Sequence, residues 1–259
     1  MPNLSAHAIV EKGAKLADDV RVGPFSYIGP KVRIGAGCVI ANNATVIGRT
    51  TLGEKNLVFP MAVVGAAPDA SGKPGECIIG KANTIREHVT VYAGLKTPTR
   101  IGSDNLIMIA CQLGAGSAMG DHGIFANCTQ IGPEAKVGDY VRTSGFTVIE
   151  AGATVGAYTF TAGYAGVDHD APPFAIVQGF PFRVRGVNTE NLRRCGFGED
   201  DIHALKAAFH EMFDGSGSSA DPAAVRRLLA DRNLNRHVRR LVEAAKACST
   251  ADSGGRADG

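Results

Sequence analysis

The sequence has 259 residues, of which 44% are hydrophobic and 20% charged, and its formal net charge is only +2. This much apolar material supports a folded core, and the near-neutral charge argues against nucleic acid as the main partner. No apolar run long enough to span a bilayer and no basic-then-apolar leader pattern is present, so we expect neither membrane insertion nor export, and a cytoplasmic location. Six scattered cysteines without a C-x-x-C pair fit a reduced compartment.

A repeat of six residues dominates the first two thirds of the chain. Apolar residues, most of them aliphatic, occupy every sixth position in three runs, from Val10 to Val64, from Ile79 to Val91 and from Ile101 to Val167, with Thr143 and Thr161 as the two exceptions. A period of six fits neither the 3.6 of a helix nor the simple alternation of a strand. It predicts short strands joined by corners, with three strands, one from each of three successive hexads, in a triangular coil. About eight such coils would stack with the aliphatic residues inside.

Small residues accompany the repeat at fixed offsets. Glycine or alanine often follows the aliphatic residue, and we expect glycine and asparagine to provide the tight or positive-φ conformations of the corners. Cys38 and Cys111 fall at a small inward position four residues after an aliphatic residue. We therefore interpret both cysteines as packing residues and not as nucleophiles.

Two interruptions of the repeat predict loops. Nine extra residues separate Val64 from Ile79, and four separate Val91 from Ile101. A stacked coil tolerates insertions only as loops that leave its corners. These loops are either substrate-contacting segments or plain spacers.

After Val167 the repeat gives way to a proline-containing connection and then to apolar residues at helical spacing, which predict three helices. Asp221-Pro222 is a good start signal for the second helix. Between Arg226 and Lys246 an excess of five positive charges provides either a surface for an acidic partner or a solvated helix face. The expected domains are residues 1–180, residues 181–248 and a disordered polar tail over 249–259.

Several motifs resemble one known family over essentially the whole chain. They are Val22-Gly23-Pro24-Phe25, Ile85-Arg86-Glu87, Ser103-Asp104-Asn105-Leu106-Ile107-Met108, Pro172-Pro173-Phe174-Ala175-Ile176-Val177-Gln178-Gly179 and Gly186-Val187-Asn188-Thr189-Glu190-Asn191-Leu192-Arg193-Arg194. The sequence is similar to the acyl-carrier-protein-dependent UDP-N-acetylglucosamine O-acyltransferases of lipid A biosynthesis.

The resemblance implies a mainly β fold: a left-handed parallel β-helix of hexapeptide repeats followed by a small C-terminal α-helical domain. It implies a homotrimer with sites between subunits, and acyl carrier protein and UDP-N-acetylglucosamine or a similar nucleotide sugar as partners. The family transfers a 3-hydroxyacyl group from the carrier protein to the sugar 3-hydroxyl. No cofactor or metal is implied.

The family's catalytic machinery is altered in this chain. By the resemblance, the general-base histidine falls on Ala115 and its acidic partner on Gly116, so no catalytic residue is assigned. Three further histidine positions fall on Gln112, Glu134 and Glu150. A sugar hydroxyl needs a general base to attack a thioester, and loss of the base removes about 10²- to 10⁴-fold in rate.

Other site positions are kept in part. The resemblance implies that Asp69 reads the sugar hydroxyl, with the neighbouring lysine replaced by Ser71 or displaced to Lys73. The segment that approaches the nucleotide and its phosphates matches through three residues, while the second arginine of the motif is a cysteine. The candidate substrate-binding residues are Asp69, Gln112, Glu134, Glu150, Asn188, Glu190 and Arg194.

Substitutes for the missing base are limited. Glu134 or Glu150 could serve if desolvation raised the pKa of its carboxyl, or both are solvated surface acids. His88 and His122 share a repeat position but lie five hexads apart, which places them on different faces and argues against a shared metal. We interpret His169, like the remaining histidines, as a surface or packing residue.

Two functions therefore remain open from sequence. The first is an acyltransferase-family enzyme with lost or altered catalysis, for which we expect negligible 3-hydroxyacyl transfer to UDP-N-acetylglucosamine. The second is a non-catalytic ligand-binding or scaffolding paralogue in envelope lipid metabolism.

Overall fold

The computed structural model describes residues 1–70, 75–213 and 219–251 as a column of very short strands followed by helices. The strands of the first half are β1 (Asn3–Leu4), β2 (Ile9–Val10), β3 (Lys15–Leu16), β4 (Arg21–Val22), β5 (Tyr27–Ile28), β6 (Arg33–Ile34), β7 (Val39–Ile40), β8 (Thr45–Val46), β9 (Arg49–Leu52), β10 (Leu57–Val58), β11 (Val63–Ala66), β12 (Glu76–Ile79), β13 (Thr84–Ile85) and β14 (Thr90–Tyr92). Those that follow are β15 (Thr99–Ile101), β16 (Leu106–Ile107), β17 (Gln112–Leu113), β18 (Ala118–Met119), β19 (Ile124–Phe125), β20 (Gln130–Ile131), β21 (Lys136–Val137), β22 (Arg142–Thr143), β23 (Val148–Ile149), β24 (Thr154–Val155), β25 (Phe160–Thr161), β26 (Gly166–Val167), β27 (Ala175–Gln178) and β28 (Arg183–Val187).

Every third strand joins the same sheet, which confirms the predicted triangular coil. Sheet A has the order β1-β4-β7-β10-β13-β16-β19-β22-β25-β27-β28, sheet B runs from β2 to β26 in steps of three, and sheet C runs from β3 to β24 in the same way. Up to β26, partners that no inserted loop separates are three hexads apart and parallel, as in Leu113↔Ile131. The last pair, β27 with β28, is antiparallel. The molecule is thus a parallel β-solenoid with three faces.

The repeat positions form the interior of the solenoid. From Val22 onward every sixth-position residue of the three runs is buried, including both threonines, whereas Val10 and Leu16 in the first coil are only partly buried. Cys38, Cys77 and Cys111 are also buried, and burial raises the pKa of the Cys77 thiol to about 12 and that of Cys111 to about 11. The prediction that Cys38 and Cys111 are packing residues is confirmed.

Many of the residues that adopt positive φ at the corners are not the glycines and asparagines that were predicted for this role. The strained conformation falls three residues after the inward position, and it is taken by side chains as large as His88, Glu134 and Tyr140, with φ of 59°, 58° and 57°. The glycine directly after the inward residue is needed mostly for a different reason: a Cβ on Gly114 would collide with the backbone of the next coil at Pro133. Close stacking of coils, more than backbone freedom, therefore explains this glycine.

A buried asparagine row reinforces one edge of the stack. The Asn83 side-chain amide donates to Asn56 Oδ1 at 3.0 Å, and the Asn105 amide donates to Asn83 Oδ1 at 3.0 Å. Each side-chain oxygen also accepts a backbone N–H, as Asn83 Oδ1 does from Asn105 N. The row satisfies buried backbone groups where successive coils turn.

Within the described residues the solenoid is followed by helices α1 (Thr189–Arg194), α2 (Glu199–Met212), α3 (Pro222–Ala230) and α4 (Arg236–Ala251). The three predicted helices are present, and Asp221 caps α3 by accepting from the N–H groups of Ala223 and Ala224. The short α1 was not predicted. Helix α4 runs to Ala251, and residues 252–259 of the predicted tail lie outside the described residues. None of the helices within the described ranges is long and apolar enough to cross a membrane.

Candidate functional site

A groove of about 380 Å³ runs along the outer face of sheet B. Its residues come from the strands of four successive coils and from the corners that lead to sheet C. They are Pro68, Tyr92, Gln112, Gly114, Ala115, Gln130, Ile131, Gly132, Pro133, Val148, Ile149 and Glu150. The groove therefore contains three positions singled out in the sequence, the neighbouring Gln112 and Ala115 and the more distant Glu150.

The two inserted loops leave the solenoid at this same edge between sheets B and C. The first connects β11 to β12 and the second connects β14 to β15, and they are joined by a backbone bridge between Glu76 and Gly94. Thr99 at the end of the second loop accepts a 2.8 Å hydrogen bond from Gly116 N. Pro68 of the first loop and Thr99 at the end of the second thus lie at the groove and beside Ala115. Asp69 follows the groove residue Pro68 and is exposed, while Ser71 and Lys73 lie outside the described residues.

The two candidate acids, Glu150 in the groove and Glu134 outside its lining, differ in exposure. Glu150 is half-buried at the groove wall, whereas Glu134 is exposed at a corner, with its side chain next to Gly116. Gln112 projects outward from β17, and its neighbour on the next coil is Gln130. Where the resemblance places a base and its acidic partner, Ala115 and Gly116 leave only methyl and backbone groups.

The second predicted cluster lies on a different edge of the same chain. The buried Asn188 donates its amide to the Tyr158 carbonyl at 2.8 Å, which fixes the start of α1 on the corner between sheets C and A. Arg194 is exposed and pairs with Glu190 at 3.0 Å. One chain therefore brings Asn188, Glu190 and Arg194 together but does not bring them to the groove.

An imidazole–carboxylate pair that the sequence interpretation had dismissed lies just beyond the groove. Asp168 Oδ1 is 2.7 Å from His169 Nδ1, and the His169 ring stacks on Phe182 with 4.1 Å between ring centroids. The half-buried, stacked ring agrees with the interpretation of His169 as a surface or packing residue, and its contact with Asp168 was not predicted. The signal was present in the sequence, because Asp168 and His169 directly follow the last inward residue of the repeat, Val167.

The histidines considered for a metal are far from each other. His88 follows β13 of sheet A and His122 follows β18 of sheet C, so the predicted difference of faces is confirmed. Within the three described ranges there is no group of three or more His, Cys, Asp or Glu side chains that could hold a metal ion.

Comparisons with known proteins agree with the architecture. A family model described as Udp N-acetylglucosamine O-acyltransferase, Domain 2, matches residues 170–252, and a model of six bacterial transferase hexapeptide repeats matches residues 13–48. The chain is 50% identical over 208 residues to the acyl-[acyl-carrier-protein]–UDP-N-acetylglucosamine O-acyltransferase of Saccharophagus degradans, covering 78% of this chain and 81% of the relative. It is 41% identical over 213 residues to the Syntrophobacter fumaroxidans protein of the same name, covering 80% and 83%.

Solved structures show the same fold over almost the full length. UDP-N-acetylglucosamine acyltransferase from Campylobacter jejuni superposes with a TM-score of 0.86 at 29% identity, covering 93% of this chain and 95% of that one. The expectation of a β-solenoid of hexapeptide repeats with C-terminal helices is confirmed. The chain belongs to the family of acyl-carrier-protein-dependent UDP-N-acetylglucosamine O-acyltransferases.

Proposed function

We propose that this protein transfers an acyl group from acyl carrier protein to a hydroxyl of UDP-N-acetylglucosamine or a similar nucleotide sugar, with altered catalysis that does not use position 115. The observation that carries the proposal is the groove on sheet B, which collects Gln112, Ala115 and Glu150 beside both inserted loops. Its polar side chains and its length over four coils suit an elongated ligand with a polar head.

The nucleotide end of the ligand needs a second chain. Asn188, Glu190 and Arg194 lie on the edge between sheets C and A, away from the groove. We infer that a homotrimer brings this edge of one copy towards the groove of the next. Exposed apolar residues on the remaining edge, between sheets A and B, support such an assembly: Phe25 is 66%, Met61 50%, Phe146 52% and Tyr164 75% exposed.

A non-catalytic ligand-binding or scaffolding role is the second candidate. It is favoured by Ala115 and Gly116, which offer no proton acceptor at the place that the family uses. In that case the protein would bind the nucleotide sugar without consuming the thioester.

One experiment separates the two candidates. The purified protein is incubated with a 3-hydroxyacyl thioester of acyl carrier protein and UDP-N-acetylglucosamine, and the acylated sugar is measured by mass spectrometry. Turnover supports the enzyme, including one with a changed acyl preference if other chain lengths work better. Saturable binding in calorimetry without product from any thioester supports the scaffold.

A further inference from the structure

The pair Asp168 and His169 has the geometry of a base with its orienting acid. The two side chains are 27% and 34% exposed, so the pair is held in place yet open to solvent on one side. A carboxylate oxygen accepts hydrogen bonds, so the 2.7 Å contact favours the tautomer of the imidazole with Nδ1 as donor to Asp168 and Nε2 as acceptor. Stacking on Phe182, which is itself 4% exposed, fixes the ring plane.

The position of His169 in the solenoid repeats that of Ala115. Ala115, Pro133, Ala151 and His169 each lie two residues after the inward residue of successive sheet B strands, at intervals of three hexads. The backbone bonds Gly114 N to Ile131 O, Gly132 N to Ile149 O and Glu150 N to Val167 O show that these coils are in direct register. With a strand spacing of about 4.8 Å, His169 lies about 14 Å from Ala115 along the solenoid axis.

The pair is contiguous with the groove. Glu150 is the groove residue nearest the helical end, and Asp168 occupies the same repeat position on the next coil. The Phe180 ring packs directly on Gly166 of β26, and a Cβ at that position would collide with the ring. Phe180 on the sheet and the imidazole at the corner therefore lie one coil beyond the last strand that lines the groove.

We propose that His169 is the general base of the acyl transfer and that Asp168 is its positioning residue, so that the proton acceptor has moved three coils from position 115. This inference rests on the proposed acyltransferase function and assigns the residue that performs it. His88 lies at the corner after a strand of sheet A, and His122 lies at the corner after a strand of sheet C. His169 lies at the corner after a strand of sheet B, the sheet that carries the groove.

The imidazole accounts for the proton transfers of the reaction without a further acid or base. Nε2 of His169 takes the proton of the acceptor hydroxyl while the hydroxyl oxygen attacks the thioester carbonyl, forming a C–O bond. Collapse of the tetrahedral intermediate breaks the C–S bond, and the imidazolium returns the proton to the departing pantetheine thiolate. The products are an ester and a free thiol, and Asp168 stabilises the transient imidazolium without being protonated itself.

The test uses the full-length protein in the carrier-protein assay. We expect His169→Gln to lower kcat by about 10²- to 10⁴-fold with little change in KM for the nucleotide sugar. Asp168→Asn should lower kcat with KM and thermal stability retained. His122→Gln changes an exposed solenoid histidine whose ring also stacks on an aromatic residue, Tyr140, and is the control that should keep wild-type turnover.

Two further readouts separate catalysis from folding. Added imidazole should restore part of the turnover of His169→Ala, which a purely structural role would not allow. Nitrogen-15 NMR of the imidazole should show the Nδ1-protonated tautomer of His169 in the wild type and a tautomer mixture in Asp168→Asn.

The outcomes are distinguishable. Wild-type turnover that His169→Gln keeps within threefold overturns the role of the pair and leaves the acyltransferase proposal standing. If turnover is lost only in Glu134→Gln or Glu150→Gln, the role of the pair is likewise overturned, and the base is the carboxylate that was changed. If the wild type transfers no acyl group to any nucleotide sugar tested, the proposed function fails and the role of the pair fails with it.

Discussion

Arg142 donates a 2.8 Å hydrogen bond from Nε to Asn191 Oδ1, joining a solenoid strand to a helix 49 residues later. The Asn191 amide also donates to the Tyr140 carbonyl at 2.9 Å. Because Asn191 is only 3% exposed, both bonds are shielded from water. Together with Asn188, this side chain therefore holds α1, and with it Glu190 and Arg194, against the corner between sheets C and A.

Removal of this side chain should weaken the docking of α1. We expect Asn191→Ala to lower the free energy of unfolding by about 1–3 kcal/mol, since it leaves a buried carbonyl and the Arg142 guanidinium without this partner. Urea denaturation followed by circular dichroism measures the change. Asn233→Ala makes the same change at an exposed position and should have little effect. Equal effects of the two variants would contradict this account of the contact.

Arg194 should contribute to nucleotide binding, whereas the adjacent Arg193 should not. A charge-assisted bond from a guanidinium to phosphate contributes about 1.5–3 kcal/mol, which is roughly 10- to 150-fold in Kd. Calorimetric titration with UDP-N-acetylglucosamine should show this loss for Arg194→Ala. Arg193→Ala is the matched control, because Arg193 already forms two hydrogen bonds with Glu199. A larger loss of affinity in Arg193→Ala than in Arg194→Ala would contradict the assignment of Arg194 to phosphate binding.

His237 should make stability depend on pH. Burial lowers the pKa of its imidazole, and Arg236 and Arg240 act in the same direction against the opposing Asp201. The unfolded chain, with an imidazole pKa of about 6.5, then binds more protons than the folded one. The contribution of His237 is therefore complete above about pH 6.5 and is lost as the pH falls through the lower folded value.

Urea denaturation at pH 7.5 and pH 5.5 measures this contribution. The decrease in unfolding free energy on acidification should be smaller in His237→Gln than in the wild type. His203→Gln changes an exposed histidine of α2 and should leave the decrease unaltered. An identical pH dependence of His237→Gln and the wild type would rule out the linkage.

The cysteines should differ in reactivity according to burial. Cys38, Cys77 and Cys111 are buried, and burial raises the pKa of each thiol, so little thiolate is available at pH 8. Cys128 and Cys195 are half-buried. Iodoacetamide labelling mapped by mass spectrometry should modify Cys128 and Cys195 first, and the buried three only after denaturation. Native labelling of Cys77 at the rate of Cys128 would contradict the closed coil.

The solenoid could be predicted from the sequence because each hexad has its own requirement for an inward apolar residue. An aliphatic residue such as Leu113 must point inward, and its partner Ile131 must follow three hexads later, so a single period specifies both burial and pairing. The same regularity placed His88 and His122 on different faces. The groove positions could be located because they follow this register.

Features that depend on contacts between distant segments were missed. Helix α1 has six residues and is held by Asn188 and Asn191 on solenoid carbonyls, which no local pattern reveals. The corner conformations were misassigned because stacked neighbours such as Tyr140 and Tyr158, 4.9 Å apart, compensate strain that a lone residue would avoid. The contact between Asp168 and His169 was not predicted because neither residue falls on a position that the family resemblance assigns to a base or its partner.

The coil of three hexads also restricts how the chain can change in length. Deleting one hexad would rotate every later side chain onto the next sheet, so that a residue such as His169 would leave the row of Ala115. Deleting a complete coil would keep all faces and bring the two positions one layer closer. Tolerated deletions in this protein should therefore be either whole layers or trims of the corner loops, and the spacing of groups along the groove can change only in discrete steps.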